Sequence, residues 1–413
     1  MNILFVVPYV PNLIRVRPYN LIRYLTERGH RVTVMTMWTS DAEKASLDPL
    51  REVCHRVEAV KLPKLRSYIN CLAALPSATP LQAVYCWQPE FAAIVAEAAS
   101  RRLDDGRPAY DVVHIEHLRG ARFGLHLRKQ LGKSDVPLIW DSVDCISHLF
   151  RQSSASSKKR LSRWTTRFEL GRTEKYEGWL VSQFDRVLVT SRLDREALLK
   201  LTARPEAAAP VHVLPNGVDL DYFSPGAVEK REPATLVISG KMSYHANVSM
   251  VLYFANRILP LIRAQRPDVR LVVVGKDPPA EILALGSQPN ITVTGFVSDI
   301  RPYLQTATAA VAPLTYGAGI QNKVLEAMAC GTPVVTTQKA VAALEITHGC
   351  ELLVGENEER FAGEVLRLLN NPDLCRQIGM EGRRYVENRH RWTDIAGQLE
   401  NIYQEAVAAA IAV

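Results

Sequence analysis

The chain carries seven cysteines and not one Cys-x-x-Cys pair. That spacing gives neither the common zinc-binding motifs nor a disulfide framework, and scattered thiols of this kind suit a reducing cytoplasm. No apolar run is long enough to span a bilayer. The longest uncharged stretch, residues 67–89, contains Pro76, Pro80 and Pro89 and reads as helix and loop packed on a domain. No strand-like run is followed by Gly-x-Gly-x-x-Gly, which weakens a dehydrogenase reading. No Asp-x-Asp pair falls at a strand end. Asp219-Leu-Asp221 has the letters but lies among turn residues, so no metal and no other cofactor is expected. The opening Met1–Val7 lacks a basic segment and a small-residue cleavage site, and it reads as a buried strand, not a signal peptide.

What is present is ordinary soluble-enzyme material in unusual distribution. At 413 residues the chain exceeds the size at which one hydrophobic core stops growing, so two domains are expected. Residues 1–210 hold 32 Lys and Arg against 22 Asp and Glu, a net +10, whereas the remainder is net −3. A basic first half fits contact with an anionic membrane surface or with anionic substrates, and equally fits solvated helix faces. No recognition motif or interleaved aromatic pattern accompanies the charge, so nucleic acid is not an expected partner.

Short apolar runs alternate with helical periodicity from end to end, the pattern of parallel sheets built from βαβ units. In the first half the runs are 3–8, 31–37, 111–116, 137–141 and 186–190. Most are continuously apolar, as strands covered on both faces should be. Tyr19, Ile22, Tyr24 and Leu25 recur at helical spacing after the first run, and Gly29 stops that helix. Residues 202–235 are rich in Ala, Pro, Asn-Gly and Ser-Pro and read as a linker. A second series follows at 236–240, 269–275, 291–295, 309–313, 333–336 and 351–354, and a helix over about 394–410 closes the chain. The expected class is α/β, with two facing Rossmann-like doubly wound domains and a cleft between them. The first spans 1–205, with helix 394–413 packing back near it, and the second spans 206–393. Ligands of such sheets bind beyond the carboxyl ends of the strands.

The most informative stretch runs from Ala312 to Val335: Ala-Pro-Leu-Thr-Tyr-Gly-Ala-Gly-Ile-Gln-Asn-Lys-Val-Leu-Glu-Ala-Met-Ala-Cys-Gly-Thr-Pro-Val-Val. A strand ends at Pro313, a loop with Gly317 and Gly319 follows, and a helix begins near Gln321 and stops at Gly331. Backbone N–H groups of a glycine loop and a helix N-terminus form an anion site. Lys323 in the first turn is unfavourable for the helix dipole, a cost that a bound phosphate would offset. Glu326 lies on the same face and could accept hydrogen bonds from a ribose. Taken as a pair alone, Lys323 and Glu326 are as well read as a surface lysine and a capping-type glutamate.

The complete pattern resembles the donor-site signature of family-4 glycosyltransferases, in particular bacterial sugar transferases associated with exosortase and exopolysaccharide gene clusters. Gly240-Lys241-Met-Ser-Tyr-His-Ala-Asn247, Val273-Val-Gly275, Val293-Thr-Gly-Phe296 and Leu214-Pro-Asn-Gly-Val-Asp219 fit the same family. The resemblance implies the GT-B architecture and a retaining, metal-independent transfer of a sugar from a UDP- or GDP-sugar to a glycan or lipid-linked acceptor. It places the enzyme in the cytoplasm, or peripherally at the inner face of the plasma membrane. It implies that Gly240, Gly317, Gly319, Ile320, Gln321, Asn322 and Glu326 bind the donor and that Lys241 and Lys323 neutralise the departing diphosphate. Two departures stand out. The first glutamate of the usual pair falls on Ala318, and Asn247 stands where many relatives have a lysine.

In the first domain the loop 8–17 has no glycine, but its Arg15 and Arg17 are candidates to meet a phosphate or an acidic acceptor. The run Asp111-Val-Val-His-Ile-Glu-His117 resembles the family's strand end that presents a histidine to the reacting sugar. That position falls on Glu116, with His117 adjacent, so both are catalytic candidates. His114 is expected to point to the other face as a structural residue. Asp141 and Asp144 end the next run and either line the acceptor side or cap a helix. The charged segment Glu169–Glu177 reads as helix support. Two rival readings keep the same chain: a sugar-nucleotide epimerase, and a nucleotide-sugar-binding subunit without catalysis, for which Ala318 is the best support.

Overall fold

The computed structural model describes residues 1–132, 135–156, 160–226, 231–316 and 319–412. They form two compact units, Met1–Pro215 with Trp392–Val413, and Asn216–Arg391.

The first unit is built on a seven-stranded parallel sheet. Its strands are β1 (Asn2–Val7), β2 (Arg31–Trp38), β3 (Arg56–Lys61), β4 (Val112–Glu116), β5 (Leu138–Val143), β6 (Arg186–Val189) and β7 (Val211–Val213). They lie in the order β3-β2-β1-β4-β5-β6-β7. The chain therefore reverses its direction of travel across the sheet between β1 and β4, and loops leaving that switch point diverge and leave a crevice. Ile3 to Val7 and Val112 to Glu116 are all buried; the first is an unbroken apolar run, and in the second His114 and Glu116 are the buried polar exceptions.

Two strands escape that signature. Arg56–Lys61 mixes charged and apolar residues because it is an edge strand, exposed at both ends and only half-buried between. Val211–Val213 is a three-residue strand at the opposite edge, paired with Val187–Val189. Residues 206–215, read from the sequence as linker and start of the second domain, thus belong to the first unit. One face of the sheet is covered by helix Val16–Glu27 and by the C-terminal helix Trp392–Ile411, which buries Trp392, Ile395, Leu399 and Tyr403 with Ile3, Phe5 and Val34. The other face packs helices such as Pro89–Ser100 and His117–Leu131 through Phe91, Val95, Phe123 and Leu127.

The second unit repeats the plan with six parallel strands, β8 (Thr235–Ser239), β9 (Arg270–Val274), β10 (Ile291–Gly295), β11 (Ala309–Ala312), β12 (Val334–Thr336) and β13 (Leu353–Val354). Their order, β10-β9-β8-β11-β12-β13, puts the switch point between β8 and β11. One continuous core includes Leu236, Ile238, Phe254, Val273, Leu325 and Phe361.

Candidate active site

In the second unit, the loops after β8 and β9 meet backbone to backbone. Gly240 turns at φ +145° and Gly275 at φ +155°, and a Cβ on Gly275 would stand 1.7 Å from the Gly240 carbonyl oxygen. Only glycine allows this approach. A Cβ on Gly240 would meet Asn247 Nδ2 at 2.8 Å and Lys323 Cε at 3.4 Å, so these distant residues converge on one spot. Asn247 is buried. Its Nδ2 donates to the Lys241 carbonyl at 2.9 Å, and its Oδ1 has no partner among the described residues. The Lys241 side chain itself is exposed.

Helix Asn322–Ala329 begins at this spot. Gln321 is its N-cap without a side-chain cap bond, and no acidic residue occupies the first turn. The dipole end is therefore uncompensated by the helix itself. Lys323 Nζ donates to Gln321 Oε1 at 3.2 Å, and Asn322 Oδ1 accepts from Asn216 Nδ2 at 3.4 Å. Burial pulls the Lys323 pKa down to about 8, against the opposing pull of Glu326. Burial pushes Glu326 up to about 7, with Lys323 opposing. A cation and an acceptor, both costly to keep charged where they are buried, thus share one helical face. Gly319 has φ +72° and Ile320 is buried. Gly317 and Ala318 lie outside the described residues. His245 Nδ1 and Tyr316 Oη are 2.8 Å apart, with ring centroids stacked at 5.5 Å. This aromatic pair joins a helix start to the glycine loop and carries no sequence motif of its own.

In the first unit, the ends of β4 and β5 form a buried charge cluster. Arg17 Nε donates to Asp141 Oδ2 at 2.8 Å, and its Nη1 donates to the carbonyls of Leu214 at 3.0 Å and Pro215 at 3.3 Å. Burial works against the Arg17 charge, and Asp141 more than restores it, so its pKa is held above the ordinary arginine value. His114 Nε2 lies 3.6 Å from Glu116 Oε2 and 3.6 Å from Asp141 Oδ2. Burial, then the Asp141 charge, push Glu116 above the usual carboxylate range. Tyr9 Oη donates to Glu116 Oε1 at 3.4 Å.

The expectation that His114 turns away from the candidate residues is corrected. Positions 114 and 116 are two apart on a strand and share a face. Arg17 is not free to meet an acceptor, because Asp141 and two carbonyls hold it. Arg15 is ion-paired with Glu43 at 2.9 Å and lies over the Tyr9 ring at 4.4 Å. Asp144 accepts from Thr190 Oγ1 at 3.1 Å, and burial, then Asp194, push it up to about 7.

Backbone strain marks the same place. His117 has φ +64° and Val143 has φ +69°, a conformation that is a true outlier for a β-branched residue. His117 Nδ1 accepts from the Arg119 N–H at 3.3 Å, and burial, then Arg119, depress its pKa to about 3, so the ring is neutral.

His114, Glu116 and Asp141 offer ligand atoms within 4.8 Å of one another, a spacing a cation could use. Arg17, however, already supplies a fixed positive charge to the shared Asp141 oxygen, and the trio is sealed from solvent. The helix Arg160–Leu180 acts through tertiary contacts. Glu177 accepts the N–H groups of Ile146 at 2.7 Å and Ser147 at 3.0 Å, and Glu169 that of Leu81 at 2.8 Å. Asp219 Oδ1 accepts from the Asp221 and Tyr222 N–H groups, which makes Asp219-Leu-Asp221 a turn.

Comparison with known proteins agrees with this geometry. The model of glycosyltransferase family 4 matches residues 15–222, and that of glycosyl transferases group 1 matches residues 233–371. The chain is 26% identical, over 94% of its length and 93% of the relative, to an MMP alpha-(1->4)-mannosyltransferase of Mycolicibacterium hassiacum. It is 29% identical, over 49% of its length and 58% of the relative, to a GDP-mannose-dependent alpha-(1-6)-phosphatidylinositol monomannoside mannosyltransferase of Mycobacterium tuberculosis. Among solved structures, sucrose-phosphate synthase of Thermosynechococcus elongatus superposes with a TM-score of 0.70 at 20% identity, covering 99% of this chain and 100% of that one. Anabaena HepE in complex with UDP superposes with a TM-score of 0.69 at 14% identity, covering 98% and 100%. With one family model spanning half of its residues and the GT-B fold in both sheets, the chain belongs to glycosyltransferase family 4 and is a glycosyltransferase.

Proposed function

We propose that the enzyme transfers a hexose with retention from a UDP- or GDP-sugar to a glycan or lipid-linked acceptor, in the assembly of cell-surface polysaccharide, without a metal. The observation that carries this reading is the convergence of Gly240, Asn247 and Lys323 at the uncapped start of helix Asn322–Ala329, with buried Glu326 one turn on interacting with Lys323. A diphosphate there meets backbone N–H groups and the Lys323 ammonium, where charge develops as the donor bond breaks. Lys241 in the adjoining loop adds a second cation. Glu326 accepts from ribose hydroxyls, and the stacked His245 and Tyr316 offer a face to the base. On the first unit Glu116 and His117 meet the acceptor side. The neutral His117 ring acts by hydrogen bonding, and Arg17 and Asp141 hold the strand ends in place. The acceptor hydroxyl attacks from the face the phosphate leaves, and the leaving phosphate oxygen takes its proton. The relative named for phosphatidylinositol monomannoside supports a lipid-linked acceptor, and HepE with UDP supports a nucleotide at this fold position.

The test is nucleotide release from a panel of UDP-, GDP- and ADP-sugars, with and without EDTA. Release from one donor that survives EDTA and is lost in Glu326→Ala is the expected result. Donor conversion into another sugar nucleotide without acceptor would identify an epimerase instead. Absence of both release and nucleotide binding would overturn the catalytic reading in favour of a binding subunit.

A further inference from the structure

Asn247 sits in the first turn of helix His245–Tyr253 and is only 4% exposed. Its backbone N–H donates to the Tyr244 carbonyl at 2.8 Å, and its Nδ2 donates to the Lys241 carbonyl at 2.9 Å. A carbonyl accepts only, so the second contact fixes nitrogen, not oxygen, on the side of the loop after β8. Oδ1 is left buried with no partner among the described residues. A buried oxygen without a donor is costly, and native proteins keep few of them. The group that completes it must carry a proton. Diphosphate oxygens are acceptors, so they do not serve.

Lys323 is placed to be that donor. A Cβ on Gly240 would stand 2.8 Å from Asn247 Nδ2 and 3.4 Å from both Asn247 Cγ and Lys323 Cε, so the carboxamide and the lysine stem flank one point. The Lys323 ammonium has three N–H groups. Its one hydrogen bond among the described residues goes to Gln321 Oε1 at 3.2 Å, and it makes no ion pair there. Rotation about the last bond of the stem but one moves Nζ while Cε stays beside the carboxamide. The local field favours such a contact. Lys323 lies in the first turn of helix Asn322–Ala329 and Asn247 in that of helix His245–Tyr253, with no acidic residue in either turn. Both helix ends carry partial positive charge, which weighs against an ammonium beside them. Glu326 is the charged group that acts on Lys323, and the titratable neighbours of Asn247 in its own segment are Lys241, Tyr244 and His245. None of these three is an anion at neutral pH, so the Oδ1 dipole is what that segment offers a cation.

We infer that Asn247 is a positioning residue for the departing diphosphate: Oδ1 takes one N–H of the Lys323 ammonium from Gln321 and leaves the others directed at the phosphate oxygens. The carboxamide acts through the lysine and touches neither phosphate nor sugar. A second cation at position 247 would repel the Lys323 ammonium in a buried place, whereas an amide oxygen steadies it. The inference rests on the reading of this site as the donor-diphosphate site.

The experiment is calorimetric titration of the full chain with inorganic pyrophosphate, UDP, GDP and the UDP- and GDP-sugars across the neutral and alkaline range. It compares the unmodified chain with Asn247→Leu, Lys323→Met and the double variant. Asn247→Leu is expected to weaken pyrophosphate, and whichever nucleotide binds, at least about tenfold, the loss of a hydrogen bond to a charged group. It should also move the alkaline limb of binding to lower pH. In the Lys323→Met background the same change should have no further effect, because Asn247 acts only through the ammonium. Asn247→Asp keeps the shape and sets a carboxylate at the ammonium, so its alkaline limb should move up by about one pH unit or more. This variant carries the test if the leucine variant does not fold. Losses that add in the double variant, an alkaline limb unmoved by Asn247→Asp, or absence of pyrophosphate binding would each overturn the inference. A loss confined to the intact sugar nucleotides would assign Oδ1 to a sugar hydroxyl and likewise overturn it. Coupling seen with pyrophosphate in a chain that binds neither nucleotide would leave the inference standing and remove the donor reading. Additive losses in a chain that binds UDP or GDP would do the reverse.

Discussion

Tyr403 Oη lies 2.7 Å from His114 Nδ1, a fully buried contact across 289 positions of sequence. It ties the C-terminal helix to the strand that carries Glu116, while Phe5 stacks on the imidazole with centroids 4.2 Å apart. His114 is thereby fixed with Nε2 toward Glu116 and Asp141.

Removing that hydroxyl leaves a buried ring nitrogen without its partner, a loss of about 1–3 kcal/mol. Tyr403→Phe is expected to lower the denaturant midpoint by the corresponding amount with little change in slope. An unchanged midpoint would mean that the contact contributes nothing to the native state. Deleting the C-terminal helix from Trp392 on should prevent folding of the first unit, since Trp392, Ile395 and Leu399 complete its core.

Donor affinity should have a pH optimum. Glu326 accepts from two hydroxyls most strongly when ionised, and its pKa is raised to about 7. Lys323 neutralises phosphate only when protonated, and its pKa is lowered to about 8. Binding is therefore expected to be tightest between pH about 7 and about 8, and to weaken on both sides. Nucleotide titration by calorimetry in buffers of different ionisation enthalpy should show proton release on the acid side and proton uptake on the alkaline side. Lys323→Arg should remove the alkaline limb alone, because arginine stays protonated.

The Arg17–Asp141 pair is expected to behave as a buried ion pair whose halves depend on each other. Arg17→Met leaves Asp141 as a buried charge without its guanidinium and should cost about 3–5 kcal/mol. Arg17→Met combined with Asp141→Asn should be markedly more stable than the single change, and a double-mutant cycle by urea unfolding measures the coupling. Additive losses would show that the two residues act independently.

Two other acids set a pH dependence of stability. Burial, then Asp194, raise Asp144 to about 7, and burial raises Glu177 to about 7 against its hydrogen bonds to Ser147 and Ile146. Each folded pKa exceeds the unfolded one. Their contribution is therefore complete below pH about 4 and is lost as pH rises through about 7. Glu177→Gln should be more destabilising at pH 5.5 than at pH 8, read as the difference in Tm from the unmodified chain at each pH. The opposite order would sink this assignment.

The apolar runs and the motif around Lys323 carried most of the architecture. A strand buried on both faces is mostly apolar, so β1, β6 and the apolar starts of β4 and β5, like the strands of the second sheet, were legible from composition, whereas the polar carboxyl ends of β4 and β5 are the buried charge cluster. The half-buried edge strands β3 and β7 were not, because one side of each has no sheet neighbour and tolerates polar or very short sequence. Gly240, Lys323 and Glu326 were legible because glycine turns and helix starts impose local chemistry that does not depend on the rest of the chain.

Local sequence could not decide what distant segments do to one another. Whether Arg17 met a ligand or Asp141, and which residue would satisfy the other nitrogen of His114, depended on segments 124 and 289 residues apart, whereas the shared face of His114 and Glu116 follows from their spacing of two on one strand. The same holds for helix Lys64–Ala74. Its periodicity determined that it has an apolar face, but a pattern is unchanged by rotation about the helix axis. Only packing decided that this face points outward, because Ser67, Asn70, Cys71 and Ala74 are the residues small or polar enough to lie against the loop carrying Trp87 and the carbonyls around it.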